Sequence, residues 1–191
     1  VLWKRASTVS LHSTEKVPST RVSLVQFDGN NPYEVVYSEM PIQDVPKFRL
    51  EPRGSTPLCD CLVKTIDETG KRYARTPEGA RPQNVLFVVI TDGQENASRV
   101  HNKYDVQRRI ERQSKEYNWE FLYLGANQDA FKEAESIGIP MASAIAYTAS
   151  VGDTRAKMNY LASNTLRYVK SGNRNDLEWF EQQREDKTGA S

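Results

Sequence analysis

Val85-Leu86-Phe87-Val88-Val89-Ile90-Thr91-Asp92-Gly93 is an unbroken apolar run closed by a polar turn. Its length and β-branched content predict a strand buried on both faces, as in a parallel sheet covered by helices. Upstream, Thr56 followed by Pro57 predicts a helix start, with a hydroxyl N-cap and proline at the first helical position. Leu58, Leu62, Ile66 and Tyr73 continue the apolar stripe of that helix. Downstream, Tyr104 to Tyr117 reads as a charged helix with Val106, Ile110 and Tyr117 turned inward. Trp119 to Leu124 reads as a strand ending in Gly125-Ala126-Asn127, and Gln128 to Ile137 as a short helix stopped by Gly138 and Pro140. Ser143 to Thr148 is a last, short strand, and Thr154 to Val169 a helix. Nearer the amino terminus, Arg21 to Asp28 and Tyr33 to Ile42 read as strands around the turn Gly29-Asn30-Asn31-Pro32. Pro41 and Pro46 confine the stretch around them to an edge or loop.

From Thr56 onward strands alternate with helices. That pattern predicts an α/β fold with right-handed crossovers: a doubly wound, Rossmann-like, mostly parallel sheet with helices on both faces. Ligands of such sheets bind beyond the carboxyl ends of the strands. The polar groups there are Asp28, Asp92 and Asn127, with Thr56 opening a helix. The chain has 191 residues, which at roughly 150 residues per domain is one domain with appendages. The expected division is an α/β domain over residues 1–172 and a polar tail over 173–191. Lys and Arg total 26 against 25 Asp and Glu, a net charge of +1. That balance lacks the basic excess of a nucleic-acid binder. The run Arg108-Arg109-Ile110-Glu111-Arg112 reads as a solvated helix face. No apolar run approaches the roughly 20 residues of a membrane span. Mean hydropathy is −0.68. No leader is read at the amino terminus, where the chain opens on Val1.

Cys59 and Cys61 are the only cysteines, and two residues apart on a helix they point to different faces. They read as small buried or half-buried thiols, and reduced thiols fit a cytoplasmic setting. His12 and His101 are isolated, so no zinc site is expected. The sequon Asn96-Ala97-Ser98 reads as accidental. Thr56 and Asp92 offer a hydroxyl and a carboxylate at neighbouring strand ends, half of a site for a hard divalent cation such as Mg²⁺. Taken one at a time, each has a simpler reading: Thr56 caps its helix, and Asp92 closes a turn with Gly93. No nucleophile–base pair, phosphate loop or dinucleotide fingerprint is visible, so no enzyme is expected.

Four stretches together resemble a family: Phe27-Asp28; Arg53-Gly54-Ser55-Thr56-Pro57-Leu58; Ile90-Thr91-Asp92-Gly93-Gln94-Glu95-Asn96; and Phe121-Leu122-Tyr123-Leu124-Gly125-Ala126-Asn127-Gln128-Asp129-Ala130. In this order they resemble the von Willebrand factor A domains of bacteria and their phages, over roughly Arg21 to Val169. The resemblance implies a doubly wound sheet with a metal-ion-dependent adhesion site holding Mg²⁺ or Mn²⁺. Its ligands come from an Asp-x-Ser-x-Ser loop, a second-loop Thr and a third-loop Asp, and a partner protein adds its own acidic residue. Thr56 matches the second loop and Asp92 the third. Ser55, Gly93 and Asn127 then flank the partner-binding surface.

The first loop departs from that pattern, because Asp-x-Ser-x-Ser occurs nowhere in the chain. Val1 to Ser7 align best with it, which puts Trp3 where the Asp belongs, Arg5 at the first Ser, and only Ser7 in agreement. Ser7 and Asp28 are therefore secondary metal candidates. The expected function is protein binding around a partial or degenerate metal site. The alternative is a Mg²⁺-dependent phosphoryl or ester hydrolase using the strand-end carboxylates Asp28 and Asp92. With the first strand incomplete, another segment or another chain is expected to fill the centre of the sheet. In the tail, Asp176 to Asp186 holds Leu177, Trp179 and Phe180 among charges, a short helix for docking on its own domain or on a partner.

Overall fold

The computed structural model describes residues 2–3, 20–46, 54–126, 129–148 and 150–177. The fold is mixed α/β. Strands β4 (Leu86–Thr91), β5 (Glu120–Ala126) and β6 (Ala144–Tyr147) form a three-stranded parallel sheet. Strands β2 (Arg21–Gln26) and β3 (Glu34–Pro41) form an antiparallel hairpin. The two-residue strand β1 (Leu2–Trp3) joins these units, pairing in parallel with β2 on one side and β4 on the other. The resulting order is β3-β2-β1-β4-β5-β6. The central slot, expected to need another segment or chain, is thus filled by Leu2–Trp3. Leu2 stands opposite Val25 and Val89, and Trp3 opposite Gln26 and Ile90.

The strand period of two sorts β4 and β5 onto two cores. Phe87, Val89, Phe121 and Tyr123 join a cluster with Leu58, Leu62 and Ile66 of α1 (Leu58–Arg75), Val106 and Ile110 of α2 (Lys103–Tyr117), and Ala130 and Ala134 of α3 (Ala130–Ser136). Val88, Ile90, Leu122 and Leu124 join a second cluster with Met158, Leu161 and Tyr168 of α4 (Val151–Ser171). Aromatic stacking closes the first cluster: Phe87 stacks on Trp119 at 5.4 Å and on Phe121 at 5.1 Å, and Tyr73 of α1 meets Trp119 edge-on at 6.0 Å.

Helix boundaries follow local chemistry. Asn102 and Asp105 form a reciprocal capping box at the start of α2, and Asn118 ends it in the left-handed region at φ 55°. Helix α4 starts at Val151 rather than the expected Thr154, because the Ser150 side chain accepts from the Asp153 amide and so sets the cap earlier. Helix α1 corrects another expectation: its N-cap is Pro57, no side chain of its own caps it, and Thr56 lies outside it. Arg174–Leu177 forms a 3-10 turn packed on α4 through Leu177. The rest of the tail, Glu178 to Ser191, lies outside the described residues. Among the described residues no helix is long and apolar enough to cross a membrane.

Gly125, at the end of β5, tests the packing of α3. A Cβ there would sit 2.6 Å from Ala130 Cβ and 2.9 Å from Tyr123 Cε1. Replacing Gly125 by Ala is expected to lower stability by about 1–3 kcal/mol, read as a drop in the urea midpoint at unchanged slope.

Candidate functional site

The carboxyl ends of β1 and β4 meet where the strand order reverses, and the loops after β2 and β4 and before α1 gather on that edge. Asp92 directly follows β4, and Gly125 pairs with Thr91 one strand over. The β4–α2 loop, residues 92–102, is clasped onto the amino end of α1. The first amides of a helix have no partner within it. Here the Cys59 amide donates to Glu95 Oε2 at 2.7 Å and the Asp60 amide to Ser98 Oγ at 3.0 Å. Glu95 also accepts from the Ala97 and Ser98 amides, both at 2.9 Å, and from Ser98 Oγ at 2.8 Å. In return, Asp60 accepts the amides of Arg99 at 2.7 Å, Val100 at 3.1 Å and His101 at 2.7 Å.

Thr56 is 1% exposed. Its amide donates to Asn96 Oδ1 at 2.8 Å, and its carbonyl accepts from the Asn96 amide at 3.2 Å. The loops carrying Thr56 and Asp92 are thereby bonded to each other. The same contact occupies the sequon asparagine. The turn after β2 also reaches this edge: Gly29 approaches Ser55 so closely that a Cβ would sit 2.2 Å from Ser55 Oγ. Ser55 itself is exposed. Gly93 closes a turn in which its amide donates to Thr91 Oγ1 at 3.2 Å while Thr91 Oγ1 donates to its carbonyl at 2.9 Å.

Asp28 takes a structural part at this edge. It is 3% exposed, and its Oδ1 accepts the amides of Asn30 at 2.7 Å and Asn31 at 2.9 Å. Ser7 and Asn127 lie outside the described residues. Among the described residues, no three His, Cys, Asp or Glu side chains converge as a metal-binding group. Both cysteines are free and buried, as expected from their helical spacing. Burial, reinforced by the Glu95 carboxylate, pushes the Cys59 thiol up to about 12, and burial lifts Cys61 to about 12. Both therefore stay protonated and packed. Within the basic run on α2, Arg109 is bonded to Asp67 at 2.9 Å and Arg112 to Glu116 at 3.0 Å, whereas Arg108 lies over the Tyr104 ring.

Glu95, Ser98 and Asp60 are the residues that sequence reasoning missed. Asp60 in the first turn of α1 carried a signal, since acids favour helix amino ends. Its partners, however, lie 39 to 41 positions away. Comparison with protein-family models, with curated proteins and with solved structures gave no match.

Burial raises the Glu95 carboxyl, but hydrogen bonds from Ser98, Cys59 and Ala97 outweigh it and hold the group below its usual value. A carboxyl lowered by folding adds stability above its unfolded value, about 4.3, and loses it as pH falls through the folded value. Stability is therefore expected to decline below about pH 4.5. Glu95→Gln should flatten that decline, and Glu95→Ala should cost about 2 kcal/mol at neutral pH by orphaning the Cys59 amide of α1 and the loop amides of Ala97 and Ser98. Urea midpoints between neutral and acid pH check both.

Proposed function

We propose that this chain is a protein-binding domain of the von Willebrand factor A type, with a doubly wound sheet and a partner site at its carboxyl edge. The observation that carries this reading is the strand order β3-β2-β1-β4-β5-β6, whose reversal point between β1 and β4 is where open α/β sheets bind ligands. Asp92 follows β4 at that point, and the Thr56 loop is bonded to the Asp92 loop through Asn96. A hydroxyl and a carboxylate are hard oxygen donors, which suit Mg²⁺ or Mn²⁺ and leave positions for water or an acidic partner group. Thr56 and Asp92 would hold the ion, and the ion would supply a coordination position for a carboxylate of the bound protein. Ser55 and Gly93 flank that position. Thr56 is steadied by its backbone pairing with Asn96, and the Glu95 clasp keeps the loop after Asp92 from moving. The hydrolase alternative draws no support from Asp28, whose Oδ1 is taken up by two amides of its own turn.

Thermal unfolding with Mg²⁺, Mn²⁺ or EDTA tests the metal. Ion at about 100 times its dissociation constant should stabilise the chain by about 2.7 kcal/mol. Asp92→Ala and Thr56→Val should abolish that gain. An equal melting temperature with ion and with EDTA would reduce the reading to a metal-free binding domain.

A further inference from the structure

Segment 99–105 is an exposed knuckle held rigidly from both sides. Asp60 grips the amides of Arg99, Val100 and His101, and the Asn102–Asp105 capping box fixes the adjoining turn. Yet it presents apolar groups to solvent: Val100 is 76% and Tyr104 65% exposed. The Arg108 guanidinium lies over the Tyr104 ring at 5.9 Å. The neighbouring cations Lys103 and Arg109 are spent on Glu133 and Asp67. Among the described residues no carboxylate pairs with Arg99 or Arg108. An exposed tyrosine under an arginine that no described carboxylate pairs has the composition of an interface hot spot. Two such faces would not join each other, since Arg99 and Arg108 would meet their own copies.

The chain carries a segment of complementary chemistry. Glu178-Trp179-Phe180-Glu181 places two large aromatics between two acids, with Glu185 and Asp186 a few residues on. Its own knuckle is out of reach. Leu177 is buried in the α4-side core, and Arg174 pairs with Glu120 at the amino end of β5, whereas α2 packs on the opposite face. Glu120 follows the carboxyl end of α2, whereas Tyr104 stands near its amino end, about 20 Å away along the helix axis, and the four residues from Leu177 to Glu181 span at most about 14 Å. We infer that the Val100–Tyr104–Arg108 face of one copy receives the Glu178–Glu181 segment of a second copy. Tail to face is a heterologous contact, so assembly runs head to tail.

The test uses the full chain carrying Trp179→Ala and Phe180→Ala, which removes the competing tail, and a dye-labelled synthetic peptide of residues 176–188. The peptide should bind saturably, as read by anisotropy, and more weakly as salt is raised. Tyr104→Ala or Arg108→Glu should weaken it by about tenfold or more. A peptide with Glu178→Lys and Glu181→Lys should lose binding to the first protein and regain it on the Arg108→Glu protein, a rescue that misfolding cannot mimic. In sedimentation the unaltered chain should associate with rising concentration, and the Trp179→Ala, Phe180→Ala chain should not. Absence of saturation up to about 1 mM peptide, or binding indifferent to Tyr104 and Arg108, overturns the inference. An unaltered chain that stays monomeric overturns the assignment to a second copy.

Discussion

The amino end of α1 is completed by side chains from another part of the chain. Its second and third amides, Cys59 and Asp60, donate to Glu95 and Ser98, which lie beyond β4, 36 and 38 positions further on. A buried amide left without an acceptor costs about 1–3 kcal/mol, so the seating of α1 on the sheet is stabilised by the β4–α2 loop folded over it. The dependence is mutual, because Asp60 of α1 supplies the acceptors for Arg99, Val100 and His101 of that loop. Much else depends on this clasp. It sets α1 with Leu58, Leu62 and Ile66 over β4 and β5, it leads the chain to the Asn102 cap of α2, and it brings Thr56 against Asn96.

The features legible in the sequence are those that short-range periodicity encodes. The run Val85 to Ile90 predicts a strand buried on both faces, and alternate residues do enter two different cores. The stripe Leu58, Leu62, Ile66 predicts α1 for the same reason. Boundaries are less legible where a cap competes with the apolar pattern, as Ser150 does when it starts α4 ahead of Thr154. The central strand is harder still. Its described part, Leu2–Trp3, is too short to show a period, and its place follows from backbone pairing with Val25, Gln26, Val89 and Ile90.

At the candidate site the same division holds. Asp92 and the Thr56 loop are placed by local grammar: a strand end, a turn, a proline before a helix. The parts of Glu95, Asn96 and Ser98 are tertiary, and nothing in Gln94-Glu95-Asn96-Ala97-Ser98 announces that its acceptors are meant for α1. The simple reading of Thr56 as a helix cap fails for a physical reason. The Cys59 amide it was expected to satisfy is taken by the Glu95 carboxylate, and the Thr56 backbone is turned toward Asn96.

The distribution of carboxylates bears on what this edge can do. Asp28, Asp60 and Glu95 all stand near it, and each accepts backbone amides that would otherwise go unpaired. Diverting any of these oxygens to an ion would strip hydrogen bonds from a turn or a helix end, at a cost comparable to the ion's own contribution. A protein that commits its acids to holding loops still gains a rim whose shape is fixed before any partner arrives. Preorganisation of that kind favours recognition, because little conformational freedom is left to lose on association. The exposed knuckle at Val100 and Tyr104 extends from the same clasp, so the interaction that seats α1 also holds the segment on which the proposed tail contact rests.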